Sequence, residues 1–214
     1  MPRTKSLTPF YLLQLASITS VIAGSMVFLA FPWLALELTN SAVSSGSVVA
    51  LTAIPGLFVA PLIGAVIDRV GRRVAAIYGE IFSGLIILLV PILHNTLGIS
   101  YWLLVSVGIL RAVFSPAGQT ARKSLVPDVA RVGNLSLERA NSIHEAVFAA
   151  GFAIGPAVAG FLIVLVGPTD VFWFVGGFLV VSALFASLLK VHEDRGEHEQ
   201  ESRTSNIFSD MKFG

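Results

Sequence analysis

The sequence predicts an all-α membrane protein with six transmembrane helices, and three observations carry that prediction. Of 214 residues, 55% are hydrophobic and only 13% charged, against about 25% charged in an average soluble domain. Mean hydropathy is +0.82. Six apolar stretches approach or exceed the roughly 20 helical residues that a bilayer core of about 30 Å requires. They lie at residues 10–36, 47–67, 74–93, 99–120, 143–166 and 171–189.

The first stretch follows Arg3 and Lys5, as a signal peptide would. It is far longer than a signal h-region and no small-residue cleavage site ends it early, so it is expected to stay as a helix. Residues 37–41 connect it to the second stretch and carry no Lys or Arg. The next connection carries Arg69, Arg72 and Arg73. Residues 94–96 are again free of Lys and Arg, and the loop after the fourth stretch holds Arg122, Lys123, Arg131 and Arg139. Residues 167–170 have no basic residue, and the segment after residue 189 has Lys190, Arg195, Arg203 and Lys212. Of the 14 Lys and Arg, only Arg111 falls outside this one-sided distribution. The positive-inside rule then places both termini in the cytoplasm of a multi-pass protein of the cell membrane. An even helix count gives the same result. Residues 191–214 are expected to be a cytoplasmic linker, acidic at first, with Ile207, Phe208, Met211 and Phe213 opening an amphipathic segment at an apparent truncation.

Several chemistries lack their residues. The chain has no cysteine, so disulfides and thiolate metal sites are excluded. No pair of histidines stands at i, i+4, and no phosphate-binding Gly-x-x-x-x-Gly-Lys-Ser/Thr loop is present. No Gly-x-Ser-x-Gly elbow occurs. Neither a metal, a cofactor, a nucleic-acid partner nor an enzymatic activity is expected. A net charge of +1 says nothing further about partners.

Charged residues inside apolar stretches carry the sharper expectations. Arg111 sits midway along the fourth stretch, where an arginine costs at least about 3 kcal/mol on insertion scales. Glu80 lies within the third. Either one or both line a pathway for substrate or protons, or they pair with each other or with groups outside this chain and lock helix packing. Gly151, Gly155 and Ala159 share one face of the fifth stretch at i, i+4 spacing, which lets another helix approach closely. Pro156 removes a backbone donor and can bend the helix, as can Pro55, Pro61 and Pro116. His144 and Glu145 are expected to open the fifth helix, where a glutamate suits the helix dipole.

The densest cluster of charge is the segment from Gly64 to Arg73. Asp68 and Gly71 match the first and fourth positions of a type I turn. Gly64, one helical turn earlier, removes bulk where another helix could approach. Asp68 at a helix C-terminus is opposed by the dipole and needs donors, from the three arginines or from a helix end elsewhere.

In full, this segment fits Gly-x-x-x-Asp-Arg-x-Gly-Arg-Arg. It resembles the signature loop between the second and third helices of the major facilitator superfamily. Gly151, Gly155, Pro156 and Gly160 resemble the Gly-Pro motif of the superfamily's exporters, with Ala159 where the first of two glycines is usual. Arg111-Ala112, Pro116-Ala117, Ala121, Leu125-Val126-Pro127 and Ala140-Asn141-Ser142 together resemble the macrolide-efflux and enterobactin-export branch. Lys123-Ser124 stands where that branch often has proline, and Arg111 lacks the Gln-Gly of the classical antiporter pattern.

The resemblance covers residues 8–190 and implies more than the residues alone do. The six helices would form a 3+3 inverted-repeat bundle over residues 1–190, the N-terminal half of a twelve-helix transporter with its site between the halves. The function implied is secondary active transport in a lipid bilayer: proton-coupled export of drugs or siderophore-like small molecules. Helices one and four, with Arg111 and Glu80 as candidates, would line the cavity. Gly64, Asp68, Arg69, Gly71, Arg72 and Arg73 would form a cytoplasmic latch. Gly151, Gly155, Pro156 and Gly160 would form a seal or hinge. A C-terminal half or second chain would complete the protein. The alternative is a truncated or stand-alone six-helix scaffold without transport activity of its own. A permease domain served by a separate ATPase fits the motifs less well.

Overall fold

The computed structural model describes residues 6–191, apart from the side chains of residues 60 and 61. The expected linker and amphipathic segment therefore lie outside the described residues. Seven helices follow one another: α1 (Thr8–Thr39), α2 (Ala42–Val70), α3 (Arg72–Leu97), α4 (Tyr101–Ser124), α5 (Val126–Gly133), α6 (Leu137–Val166) and α7 (Val171–Leu188). All but α5 contain an apolar window long enough to cross a membrane. These are the six expected spans.

Most helices outrun the apolar runs that announce them, because their ends are set by caps and not by hydropathy. Ser41 accepts a bond from Ser44 N and starts α2 five residues before the expected position 47. Ser136 accepts from Arg139 N, so α6 begins at Leu137 and not at 143. Such caps satisfy amides that the first helical turn leaves without a partner. Asn40 and Asn134 end α1 and α5 with φ of 51° and 54°, the left-handed conformation in which asparagine is the usual non-glycine residue.

Helix α5 is a feature the apolar runs did not announce. Eight residues with Pro127 in the first turn form one short amphipathic helix. It buries Val126, Val129 and Ala130 against Phe10 and Leu13 of α1 and against Ala140, Ala186 and Leu189. A larger apolar cluster fills the other end of the bundle. There Phe31 of α1 meets Phe172 of α7 edge to face, with ring centroids 5.4 Å apart.

The packing pattern is that of two helix triplets exchanged by an approximate two-fold axis in the membrane plane. Helices α1, α2 and α3 form one triplet and α4, α6 and α7 the other. The packing of α1 on α6 is matched by that of α4 on α2, and that of α3 on α4 by that of α7 on α1. Helix α3 meets its own counterpart, α7. Consecutive spans run in opposite directions, so a triplet that starts at span four is inverted relative to one that starts at span one. This is the 3+3 inverted-repeat bundle.

Burial within the bundle is uneven. Half of the apolar window is buried in α1 and in α3, and 44% in α7, but only 6% in α2 and 17% in α6. The two least covered helices are counterparts under the repeat.

Candidate functional site

The basic end of the bundle is built around Gly71. Its φ of 95° and ψ of 146° lie where only glycine is at ease. Its amide donates to Ile67 O at 2.8 Å, and its carbonyl accepts from Ala75 N at 2.9 Å. One residue thus ends α2 and begins α3. The expected four-residue turn over 68–71 is corrected: Asp68, Arg69 and Val70 are helical, because a glycine with positive φ reverses the chain without a longer turn.

The charges on either side of Gly71 part company. Arg72 and Arg73 open α3, where the helix dipole disfavours cations. Arg72 Nη1 donates to Ser124 O at 3.2 Å, at the last residue of α4, and to Asp128 Oδ2 at 3.1 Å. Arg73 donates to Ser187 O near the end of α7. Carbonyls at helix C-termini lack intrahelical donors and favour cations. The two arginines therefore tie the ends of α4 and α7 to the start of α3. Asp68 receives no such help. It is exposed, as are Arg69 and Gly64, and it makes no hydrogen bond or ion pair among the described residues. A Cβ on Gly64 would meet nothing within 4 Å. Ile63 and Ile67 pack against Ala75, Ala76 and Ala121, while Gly64 and Asp68, four residues apart, share an open face of α2.

A second polar group lies inside the bundle. Arg122 of α4 forms an ion pair with Glu80 of α3 and donates to Ser20 Oγ of α1 at 2.7 Å. Ser20 Oγ donates to Glu80 Oε1 at 2.9 Å. All three residues are buried, Arg122 and Glu80 to within 3%. This corrects two expectations. Arg122 is not a loop residue, because α4 runs to Ser124. Glu80 pairs with Arg122 and not with Arg111, and it is buried. The missed signal was periodicity: Gly108, Arg111, Gly118 and Arg122 repeat on one face of α4, three turns carrying Arg111 onto Arg122. Taking the helix to end at residue 120 hid it. Glycines make the meeting of α3 and α4 possible, since a Cβ on Gly79 would fall 2.7 Å from Gly118 N.

His144 and Glu145 also depart from expectation. They lie two turns into α6, whose first turn holds Glu138 instead. His144 is buried, with Nδ1 3.1 Å from Gln14 Oε1 of α1. Glu145 pairs with Lys123 at 2.7 Å on the surface, a contact of little energetic weight.

Arg111 borders a cavity of about 260 Å³ between α1, α2 and α4, lined chiefly by Gly24, Phe28, Phe31, Thr52 and Gly108. Its Nε is buried and bonded to no protein atom, and Arg111 makes no salt bridge among the described residues. An apolar cleft with one guanidinium can hold a mostly apolar solute and orient one acceptor on it.

The small face of α6 meets α1. A Cβ on Gly151 would lie 3.1 Å from Val21, and one on Gly155 would collide with Ser25 and stand 2.7 Å from Ile22 O. Ser25 Oγ bridges the pair, donating within α1 to Val21 O at 2.8 Å and lying 3.2 Å from Gly151 O. Ala159 is fully buried. Gly160 faces open space apart from Leu29 at 3.8 Å. Pro156 lies inside α6, which continues through it.

Six membrane-length helices in two inverted triplets, with a charged cleft between them, define a multi-pass membrane protein of the transporter class. The chain belongs to the Major Facilitator Superfamily, which residues 13–212 match. It is similar to the Multidrug efflux pump Tap of Mycolicibacterium fortuitum, 32% identical over 210 residues, covering 96% of this chain and 51% of that protein. The pump of the same name from Mycobacterium tuberculosis (strain ATCC 25618 / H37Rv) is 30% identical over 215 residues, covering 99% of this chain and 51% of the relative. The Multidrug resistance protein 1 of Bacillus subtilis (strain 168) is 28% identical over 214 residues, covering 92% and 52%. The chain spans about half the length of the curated relatives it matches.

Proposed function

We propose that the chain is the N-terminal half of a proton-coupled drug exporter of the cell membrane, with both termini cytoplasmic, and that its activity is transport and not an enzymatic reaction. The observation that carries this is the uncovered pair α2 and α6, counterparts in the repeat, with Asp68 and Gly64 on an open face of α2. A second six-helix half laid on these helices would close the bundle and give Asp68 its donors. The match to about half of each relative agrees with such a complement. Of the two substrate classes suggested by the resemblance, drugs are the one that the relatives' names carry.

In this reading the cleft beside Arg111 is this half's share of the substrate cavity. Gly64, Asp68, Arg69 and Gly71 form the latch that meets the second half on the cytoplasmic side, while Arg72 and Arg73 brace the latch from within. Gly151, Gly155, Pro156 and Gly160 form the seal along α1. The one-sided basic residues support the orientation.

The test uses the complete gene in a bacterial host stripped of its main efflux pumps. Accumulation of a drug panel, with and without a protonophore, should fall in cells that carry the gene and rise again when the gradient is collapsed. Asp68→Asn should abolish efflux while membrane insertion stays normal. Accumulation equal to that of the empty vector across the panel, or normal efflux from the Asp68→Asn transporter, would sink the corresponding part of the reading.

A further inference from the structure

We propose that the buried cluster Ser20–Glu80–Arg122 is the exchangeable proton site of the transporter, with Glu80 as the proton carrier. The proposal rests on the proton-coupled reading above and assigns that coupling to atoms outside the Arg111 cleft.

The geometry separates this cluster from an ordinary structural ion pair. A guanidinium locking a carboxylate usually bonds both oxygens with its fork. Here Arg122 Nη1 and Ser20 Oγ converge on Glu80 Oε1, while Arg122 Nη2 turns to Ser20. Glu80 Oε2 is buried and bonded to nothing in the protein. One carboxylate oxygen is thus held and the other is free to take a proton. Two more buried hydroxyls, Ser17 Oγ and Ser83 Oγ, also lack partners. They lie one turn from Ser20 on α1 and from Glu80 on α3. These two unpartnered hydroxyls flank the cluster, one along α1 and one along α3.

The charged groups around Glu80 come from several helices. From α4, Arg122 touches Glu80, and Arg111 lies within its electrostatic reach. Helix α7 presents no titratable side chain along its length. Helix α2 brings Asp68 and Arg69 only near the start of α3, about 12 Å from Glu80 at 1.5 Å per residue. Helix α1 contributes the Ser20 hydroxyl, and His144 of α6 is engaged with Gln14 of α1 at 3.1 Å. Arg122 is paired with Glu80 while the cluster is closed. When Arg122 draws back, the carboxylate takes a proton from hydronium and leaves water; the carboxylic acid later returns that proton to water on the other side. The α3–α4 crossing is close, and a Cβ on Gly118 would fall 2.8 Å from Glu80 Oε1. Charge at Glu80 and the spacing of α1, α3 and α4, which come from both triplets, therefore change together.

The test is pH-dependent infrared difference spectroscopy on the complete transporter in lipid. Acidification should raise the carbonyl band of a buried carboxylic acid. That band should vanish in Glu80→Gln, persist in Asp68→Asn, and shift in frequency in Ser20→Ala, which only removes a hydrogen bond to the carboxyl. Ser20→Ala keeps the ion pair and serves where Glu80→Gln fails to insert. In proteoliposomes, Glu80→Gln should lose gradient-driven transport and keep downhill exchange. A band unchanged in both Glu80→Gln and Ser20→Ala, or no titrating buried carboxyl at all, overturns the assignment. A band that follows Glu80 in a transporter indifferent to the proton gradient keeps the site and overturns the coupling.

Discussion

Gly71 does with one residue what a four-residue turn would otherwise do, and the neighbouring charges depend on it. Its backbone angles are close to glycine-only territory, which costs other residues about 1–3 kcal/mol. Gly71→Ala should lower stability by about that amount, visible as a lower thermal unfolding midpoint in detergent. The arginines that follow are tied to specific acceptors. Arg72 and Asp128 are 3.1 Å apart, with Asp128 nearly buried. Arg72→Met and Asp128→Asn should each destabilise the bundle and add less than fully together. A double-mutant cycle should return a coupling of about 0.5–3 kcal/mol. The pattern Asp-Arg-x-Gly-Arg-Arg marked these positions in the sequence. It did not show that Arg72 and Arg73 are engaged within the bundle while Asp68 is not, because the carbonyls that capture them belong to helices 52 and 114 residues away.

Helix packing is decided by which glycines meet a neighbour. Between apolar helices in lipid, association rests on close van der Waals fit and on interhelical hydrogen bonds. Gly155 is pressed against Ser25 and Ile22, whereas Gly160 is not pressed against α1. Gly155→Ala should therefore part the α1–α6 seam and lower both thermal stability and efflux. Gly160→Ala should leave thermal stability close to the parent's. Both glycines stood in the same motif in the sequence, and i, i+4 spacing favoured only the 151, 155 and 159 face. Periodicity showed that a small face existed; the partner α1 and the Ser25 bridge emerged only when the helices were placed. Helix α5 was legible in part, from Pro127 and the spacing of Val126, Val129 and Ala130, but it is too short for a hydropathy window to register.

For the molecule as a whole, the uncovered helices α2 and α6 make a labelling prediction. The chain has no cysteine, so Gly64→Cys provides the single thiol of residues 1–214, and the complete transporter is compared after any cysteine elsewhere in it is replaced by serine. A water-soluble maleimide should label it readily when residues 1–214 are expressed alone and poorly in the complete transporter. Equal labelling in both would remove α2 from the interface between halves.

The sequence by itself determined the six spans, the alternation of basic and non-basic connections between them and the place of the glycine–arginine segment. Each of these depends on local quantities: apolar length against bilayer thickness, charge per connection, and one backbone position that needs glycine. The tertiary structure alone decided that Glu80 meets Arg122 rather than Arg111, that His144 meets Gln14, and that α2 and α6 are left open. Those outcomes depend on how triplets exchange across an axis and how closely glycines let α3 approach α4. Such distances through space connect residues that no local pattern relates.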